Sequence, residues 1–231
     1  GKKLVQMPLM QRQLDKLRVP SEQARTMVFQ TAKALARSDA GEKDAYALAR
    51  ILTPMIKFRA CRDARKVAGD AMEVRGGCGY IEEWSDPRLV RDAHLGSIWE
   101  GTSNIVALDV IRAIRREQSL PALEQHLAQL LAQAAPAPAL AAELRNTLDR
   151  AVQLAQAAAA EGADVLARRA ASALYHTTTA IAMVWESSRI GTPEREHLAR
   201  LVLRHRLAPQ DPLQADLDTT LMNLEDGFLI P

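Results

Sequence analysis

The sequence predicts an all-α protein, because helical periodicity recurs along its 231 residues and no segment has the pattern of a β-strand. The apolar spacing i, i+3, i+4 and i+7, which forms a stripe on one helix face, occurs at Leu48, Ile51, Leu52 and Met55. β-Branched residues are scattered, and no run of alternating apolar and polar residues is bounded by turns. A chain of this length can bury a sizeable core.

Prolines, glycines and polar turns divide the chain into eight predicted helices. Their bounds are about 8–37, 42–75, 86–94, 103–117, 121–134, 138–160, 163–188 and 193–206. Pro20 and Pro54 fall inside the first two helices, where we expect them to introduce kinks. The part after Pro121 is alanine-rich and acidic, which predicts an added helical layer. We therefore divide the chain into a domain at 1–117 and a helical extension at 118–231 packed on it.

The composition excludes a disordered chain, because 48% of the residues are hydrophobic. The net charge is only +2, so the composition gives no reason to expect a polyanionic partner. The charge is unevenly divided, however. Residues 1–117 hold 21 basic and 15 acidic side chains, or +6, whereas residues 118–231 hold 9 and 13, or −4. Any anion-binding role is therefore expected in the first half.

Other features bear on the setting of the protein. The two cysteines, Cys61 and Cys78, are too few for a disulfide framework, which favours a reducing, cytoplasmic environment. No apolar run reaches the roughly 18 residues that a membrane helix requires. The chain opens with Gly1 and has no initiator methionine, which suggests a fragment of a longer protein.

The segment from Arg75 to Ile114 is dense in glycine, aromatic and charged residues. Gly76, Gly77 and Gly79 follow a long amphipathic helix, so one or two of them are explained by a left-handed helix C-terminus. A third glycine suggests a backbone that a ligand such as a phosphate group approaches closely. On these residues alone, the structural explanation is favoured.

Glu100 is the candidate catalytic residue. It lies three residues after Ser97, which is the spacing of a capping box, and in isolation that structural role would be favoured. However, Thr102, Ser103 and Asn104 are each suitable caps for the helix that follows. Glu100 is then left outside the helix N-terminus.

The neighbours of Glu100 suit a base. Trp99 precedes it and Gly101 follows it. Burial against an aromatic ring raises the pKa of a carboxylate, and a glycine leaves room for a ligand. The chain offers no comparable metal site, since Glu194 and His197 form only one of the two Glu-x-x-His pairs that a di-iron bundle needs.

The run GGCGYIEEWSDPRLVRDAHLGSIWEGTSNI resembles the signature of the C-terminal domain of acyl-CoA dehydrogenases. In that family a Gly-Gly-x-Gly-aromatic loop precedes an Arg-Asp pair and an aromatic-Glu-Gly-Thr motif. The opening GKKLVQMPLMQRQL is similar to the start of the domain's first helix. Together these segments cover about residues 1–117, and the remaining helices resemble the tail of the branch that includes the alkylation-response protein. The resemblance implies an up-and-down four-helix bundle with an additional helical extension.

The resemblance also implies roles for individual residues. Glu100 matches the base that removes the α-proton of an acyl-CoA thioester while the β-hydrogen leaves as hydride to N5 of FAD. The positions that match cofactor contacts are Gly76, Gly77, Thr102 and Asn104, and those expected beside the substrate are Trp99 and Gly101. Glu73 stands where many members have a glutamine that contacts the flavin.

The same resemblance implies partners. The family builds its site between this domain, a β-domain and an N-terminal helical domain, within a dimer or tetramer, and electron-transfer flavoprotein is a possible electron acceptor. We therefore expect the chain alone to be inactive and to bind FAD weakly. The alternative is a nucleic-acid-binding or oligomerisation module, as in the alkylation-response relative. The net charge of −4 on the extension makes nucleic acid the less expected partner.

Overall fold

The structure is a computed structural model that describes residue 1, residues 3–209 and residue 213. The described residues contain helices and turns but no strand. The α-helices are α1 Pro8–Asp39, α2 Lys43–Val74, α3 Gly77–Tyr80, α4 Asp86–Leu95, α5 Ser103–Glu117, α6 Ser119–Ala134, α7 Pro138–Ala159, α8 Ala167–Ile190 and α9 Pro193–Val202. Short 3₁₀ turns occupy Leu4–Gln6 and Asp164–Leu166, and a π-turn at Leu203–Leu207 follows α9. The predicted all-α class is confirmed.

The helix bounds differ from the prediction at three places. The segment after Gly162 begins as a 3₁₀ turn, so α8 starts only at Ala167 and then runs to Ile190, where Gly191 in the left-handed region ends it. Helix α6 begins two residues before Pro121, because a proline is tolerated in the first turn of a helix. The glycine segment holds a helical turn, α3, where the sequence predicted a loop.

Helix α2 is the centre of the fold. It packs against α1, α4 and α5 on the N-terminal side of the chain and against α6 and α8 of the extension. Pro20 and Pro54 lie inside α1 and α2, both of which continue past them. One hydrophobic core joins the two parts of the chain and includes Met27, Ile51 and Leu174. The division at residue 117 stays a prediction, since the core crosses it.

A polar junction fastens the extension to α1. The guanidinium of Arg195 on α9 is 4% exposed and donates hydrogen bonds to Glu22, Thr26 and Glu186. The bond from its Nε to Glu186 Oε2 is 2.7 Å long. Because Glu22 and Thr26 lie on α1 and Glu186 lies on α8, one buried cation holds three helices together.

A second junction links α5 to α7. Arg115, in the last turn of α5, donates to the carbonyl oxygens of Ala159 at 2.8 Å and Ala160 at 2.7 Å. It also bonds Asp164 Oδ1 at 3.0 Å. The final carbonyl groups of a helix lack partners within it, so Arg115 acts as a cap for α7. The far end of the helix that follows Glu100 is thus fixed to the extension.

None of the helices in the described part of the chain is long and apolar enough to cross a membrane.

Candidate functional site

The turn between α4 and α5 places Glu100 just before the N-terminus of α5. Gly96 ends α4, and the amides of Ile98 and Trp99 still donate to Leu95 O, at 2.9 and 3.2 Å. The chain then reverses through two left-handed residues, Glu100 at φ 56° and Gly101 at φ 112°. This region suits glycine but costs a residue with a side chain about 1 kcal/mol or more. Glu100 therefore sits in a strained conformation that the surrounding turn maintains.

Lys57 of α2 contacts this turn at three points. Its Nζ donates to Gly96 O at 3.0 Å, lies 5.2 Å from the centre of the Trp99 ring and is 3.7 Å from Glu100 Oε2. One half-buried ammonium group therefore contacts the start, the aromatic residue and the carboxylate of the turn. Lys57 is not among the site residues predicted from the sequence. In the sequence, Lys57 is marked only by its position among the apolar residues Met55, Ile56 and Phe58.

The structure does not give Glu100 the capping role of the alternative interpretation. Ser97 Oγ donates to His94 O at 3.1 Å instead. The Glu100 side chain is 67% exposed and Trp99 is 56% exposed. The sequence suggested that the Glu100 carboxylate is desolvated, and for the described residues taken alone this is wrong. A single tryptophan beside an open turn leaves the carboxylate in water.

The start of α5 keeps free polar groups beside Glu100. Thr102, one of the three caps that the sequence offered, occupies the N-cap position, but its side chain makes no capping hydrogen bond. The first amides of a helix lack intrahelical partners and carry partial positive charge. Asn104 Oδ1 accepts a hydrogen bond of 3.2 Å from Arg168 of α8. The helix start thus presents donors next to the carboxylate.

The three glycines after α2 differ in their surroundings. Gly76 has φ 61°, and a side chain at Gly76 or Gly77 would meet no atom within 4 Å. A Cβ on Gly79 would lie 2.1 Å from the backbone oxygen of Met72. Gly79 is therefore required by packing, whereas the backbone at Gly76 and Gly77 is open to a ligand.

We expect Gly79→Ala to lower the free energy of unfolding by about 1–3 kcal/mol, because the added methyl group overlaps the backbone of α2. Gly77→Ala is the matched control, with an expected change within about 0.5 kcal/mol. Urea denaturation of both variants measures the difference. Equal stability of the two would show that Gly79 is not needed for packing.

The glycine segment is attached to α4 by Arg75. Its Nε is 3.3 Å from Asp86 Oδ2, and its guanidinium stacks over Trp84 at 5.3 Å from the ring centre. Around this segment and the Glu100 turn, large apolar side chains are exposed: Tyr80, Ile81, Trp84, Leu89, Leu95, Ile98, Trp99 and Ile105. A concentration of this kind marks a surface that binds a ligand or another protein unit.

The candidate metal pair is not assembled. Glu194 forms an ion pair with Arg18, and the described residues bring no three His, Cys, Asp or Glu side chains together in a metal-binding group.

The first half of the chain is similar to proteins of a known family. Residues 1–115 match the family model for the C-terminal domain of acyl-CoA dehydrogenases. The putative acyl-CoA dehydrogenase AidB of Escherichia coli is 40% identical over 117 residues, or 51% of this chain and 21% of that protein. Acyl-CoA dehydrogenase family member 11 of Caenorhabditis elegans is 36% identical over 127 residues, or 54% of this chain and 21% of that protein. The matched segment thus spans about a fifth of the length of these relatives.

The fold of the extension is also found among solved structures. Caenorhabditis elegans ACDH-11, crystallised in complex with C11-CoA, aligns with a TM-score of 0.75 and 26% identity, covering 85% of this chain and 36% of that one. The apo form of Bd2924 aligns with a TM-score of 0.67 and 29% identity, covering 80% of this chain and 35% of that one. Residues 1–115 therefore form a C-terminal domain of the acyl-CoA dehydrogenase family, in the branch where a helical tail follows that domain.

Proposed function

We propose that this chain is the C-terminal part of a flavin-dependent acyl-CoA dehydrogenase and that Glu100 is its catalytic base. The observation that carries the proposal is the turn itself. A glutamate is held in a left-handed conformation beside an uncapped helix start, in a segment that matches the family. A backbone strained in this way and fixed by a neighbouring cation is typical of a functional position.

The chemistry follows from the substrate. The thioester carbonyl of an acyl-CoA makes the α-C–H acidic, and an ionised carboxylate is a suitable base for that proton. Glu100 takes the α-proton, and the β-hydrogen departs with its electron pair as hydride, which leaves an α,β-double bond. Bound FAD supplies the acceptor for that hydride. Trp99 and Gly101, on either side of Glu100, would border the acyl chain.

The described residues fit a flavin. Gly76 and Gly77 leave an open backbone along which the diphosphate of FAD would lie. The uncapped amides at the start of α5 are donors suited to an electron-rich ring or a phosphate oxygen. Thr102 and Asn104 would contact the flavin there. Glu73 is exposed at the end of α2 and adds a negative charge to this surface, so we assign it no flavin contact.

The exposed apolar side chains support a site completed by other protein units. Trp99 and Ile98 are both more than half exposed beside the proposed base. Covering them would remove water from Glu100, which this chain alone does not do. We propose that a β-domain, an N-terminal helical domain and a second copy of the protein provide the cover. The C11-CoA bound by the structural relative supports an acyl-CoA substrate, and electron-transfer flavoprotein would take the electrons.

We expect the isolated chain to retain less than about a tenth of an equivalent of FAD after gel filtration and to oxidise no acyl-CoA, because the surface around Glu100 is open. Absorbance of the eluted protein in the flavin band and an assay with a dye acceptor measure both properties. Stoichiometric FAD together with turnover would contradict the need for further domains. The role of Glu100 is tested separately, by exchange of the substrate α-proton in a Glu100→Gln variant of the complete protein.

A further inference from the structure

A second candidate site lies on α2 and α4, apart from the proposed catalytic residues. It is a cavity of about 390 Å³, here called the cationic pocket, lined by Arg59, Arg62, Asp63, Arg65, Lys66 and His94. Its volume falls in the lower part of the range of small-molecule sites. None of the residues assigned to substrate or flavin lines it.

The pocket carries positive charge that its own carboxylate does not balance. Asp63, which is 6% exposed, accepts two hydrogen bonds from Arg59, at 3.0 and 2.7 Å, and so neutralises that side chain. Lys66 pairs with Asp70 at 2.8 Å. Arg62 and Arg65 have no carboxylate at ion-pair distance among the residues that the structure describes. Two guanidinium groups therefore line the cavity with no ion pair of their own among the described residues, and Asp63, already bonded to Arg59, only partly offsets the charge of Arg62.

The charge is concentrated further by the extension. Burial and the repulsion of Arg168, Arg59 and Arg65 lower the pKa of Arg62, and the attraction of Asp63 offsets only part of this. Arg168 lies on α8, so the extension adds a cation here although its net charge is −4. Gathering like charges around a partly buried arginine destabilises the folded chain unless an anion offsets the repulsion.

We propose that the cationic pocket binds a small ligand with a diphosphate group. Guanidinium groups recognise phosphate oxygens in pairs, with two parallel hydrogen bonds. Arg62 and Arg65 are three residues apart, about 4.5 Å along the axis of α2, so two linked phosphates can reach both guanidinium groups. A concave pocket of this size favours a compact ligand over a nucleic acid. A nucleic acid would need a longer row of basic side chains, and the acidic extension does not provide one.

The test is calorimetric titration of the 231-residue chain with inorganic pyrophosphate. We expect Arg62→Gln/Arg65→Gln to weaken binding about tenfold or more, because both paired contacts are lost. The control Arg145→Gln/Arg150→Gln removes two exposed arginines of α7 and is expected to leave the affinity within about twofold. Pyrophosphate should bind more tightly than orthophosphate. Tighter binding of ADP than of pyrophosphate would identify a nucleotide as the source of the diphosphate, and equal binding would identify the diphosphate alone.

A second measurement separates lost binding from lost folding. Without ligand, Arg62→Gln is expected to melt no lower than the unmodified chain, because the substitution removes the repulsion around Arg62. Pyrophosphate should raise the melting temperature of the unmodified chain and not that of the variant. Equal pyrophosphate affinity of the Arg62→Gln/Arg65→Gln and Arg145→Gln/Arg150→Gln variants would overturn the proposal. Tighter binding of duplex DNA than of pyrophosphate at the same ionic strength would also overturn it. Neither measurement requires FAD or turnover, so the outcome is independent of the role of Glu100.

Discussion

Glu100→Gln in the complete protein is expected to reduce acyl-CoA oxidation by about a hundredfold to ten-thousandfold. Glutamine keeps the size of the side chain but cannot accept the α-proton, so exchange of that proton with deuterated water should also stop. Binding of FAD should not change, because the glutamine keeps the backbone that presents Thr102 and Asn104. Stopped-flow reduction of the flavin and mass spectrometry of the recovered substrate measure the two steps.

The control for this substitution is Glu143→Gln, which changes an exposed glutamate of α7 in the same way. It should leave both rates within about twofold of the original. Undiminished α-proton exchange in Glu100→Gln would assign the base to another residue. Loss of FAD from that variant would instead give Glu100 a structural role in the turn.

Arg195→Met is expected to lower the free energy of unfolding of this chain by about 3–5 kcal/mol, because it removes one partner of a buried ionic network. Glu186 would lose its cation in a mostly buried position, whereas Glu22 would keep its pair with Arg25 at 2.6 Å. Methionine fills a similar volume, so little of the effect would come from a cavity. Urea denaturation followed by circular dichroism gives the free-energy difference.

A triple variant distinguishes charge from packing at this junction. Glu22→Gln and Glu186→Gln, combined with Arg195→Met, leave neither carboxylate without its cation and should recover much of the lost stability, since the Arg25 that loses Glu22 is exposed. Arg145→Met on the exposed face of α7 is the control for the substitution itself, with an expected change within about 0.5 kcal/mol. A triple variant as unstable as Arg195→Met would show that the arginine acts through packing and hydrogen bonds to Thr26.

The sequence predicts the long helices well because their signals are local. Apolar periodicity marks the buried face of α2, and Gly191 and Pro193 mark the break between α8 and α9. The short elements α3 and Asp164–Leu166 carry too few residues for a periodicity. Their helical turns depend on contacts such as the close approach of Gly79 to α2, which no local pattern encodes.

The candidate site was predictable only in part, for a related reason. Glu100 could be selected because Thr102, Ser103 and Asn104 are each suitable caps for α5; Thr102 takes the N-cap position, although its side chain makes no capping hydrogen bond. Lys57 could not be selected, since its contacts with Glu100 and Trp99 arise from the packing of α2 beneath the turn. The exposure of Glu100 was also beyond the sequence, because it depends on which surfaces meet in three dimensions.

At position 100, the left-handed backbone favours glycine for stability, whereas the proposed chemistry requires a carboxylate. Glycine would adopt φ 56° without steric cost, so it should stabilise the turn by about 1 kcal/mol relative to a residue with a side chain. The ion pair with Lys57 offsets little of this gain, because the Glu100 carboxylate is exposed. Laboratory evolution with selection only for thermal stability should therefore favour glycine at position 100, and the carboxylate would be lost. Such a population would become more stable as its members lost the proposed base.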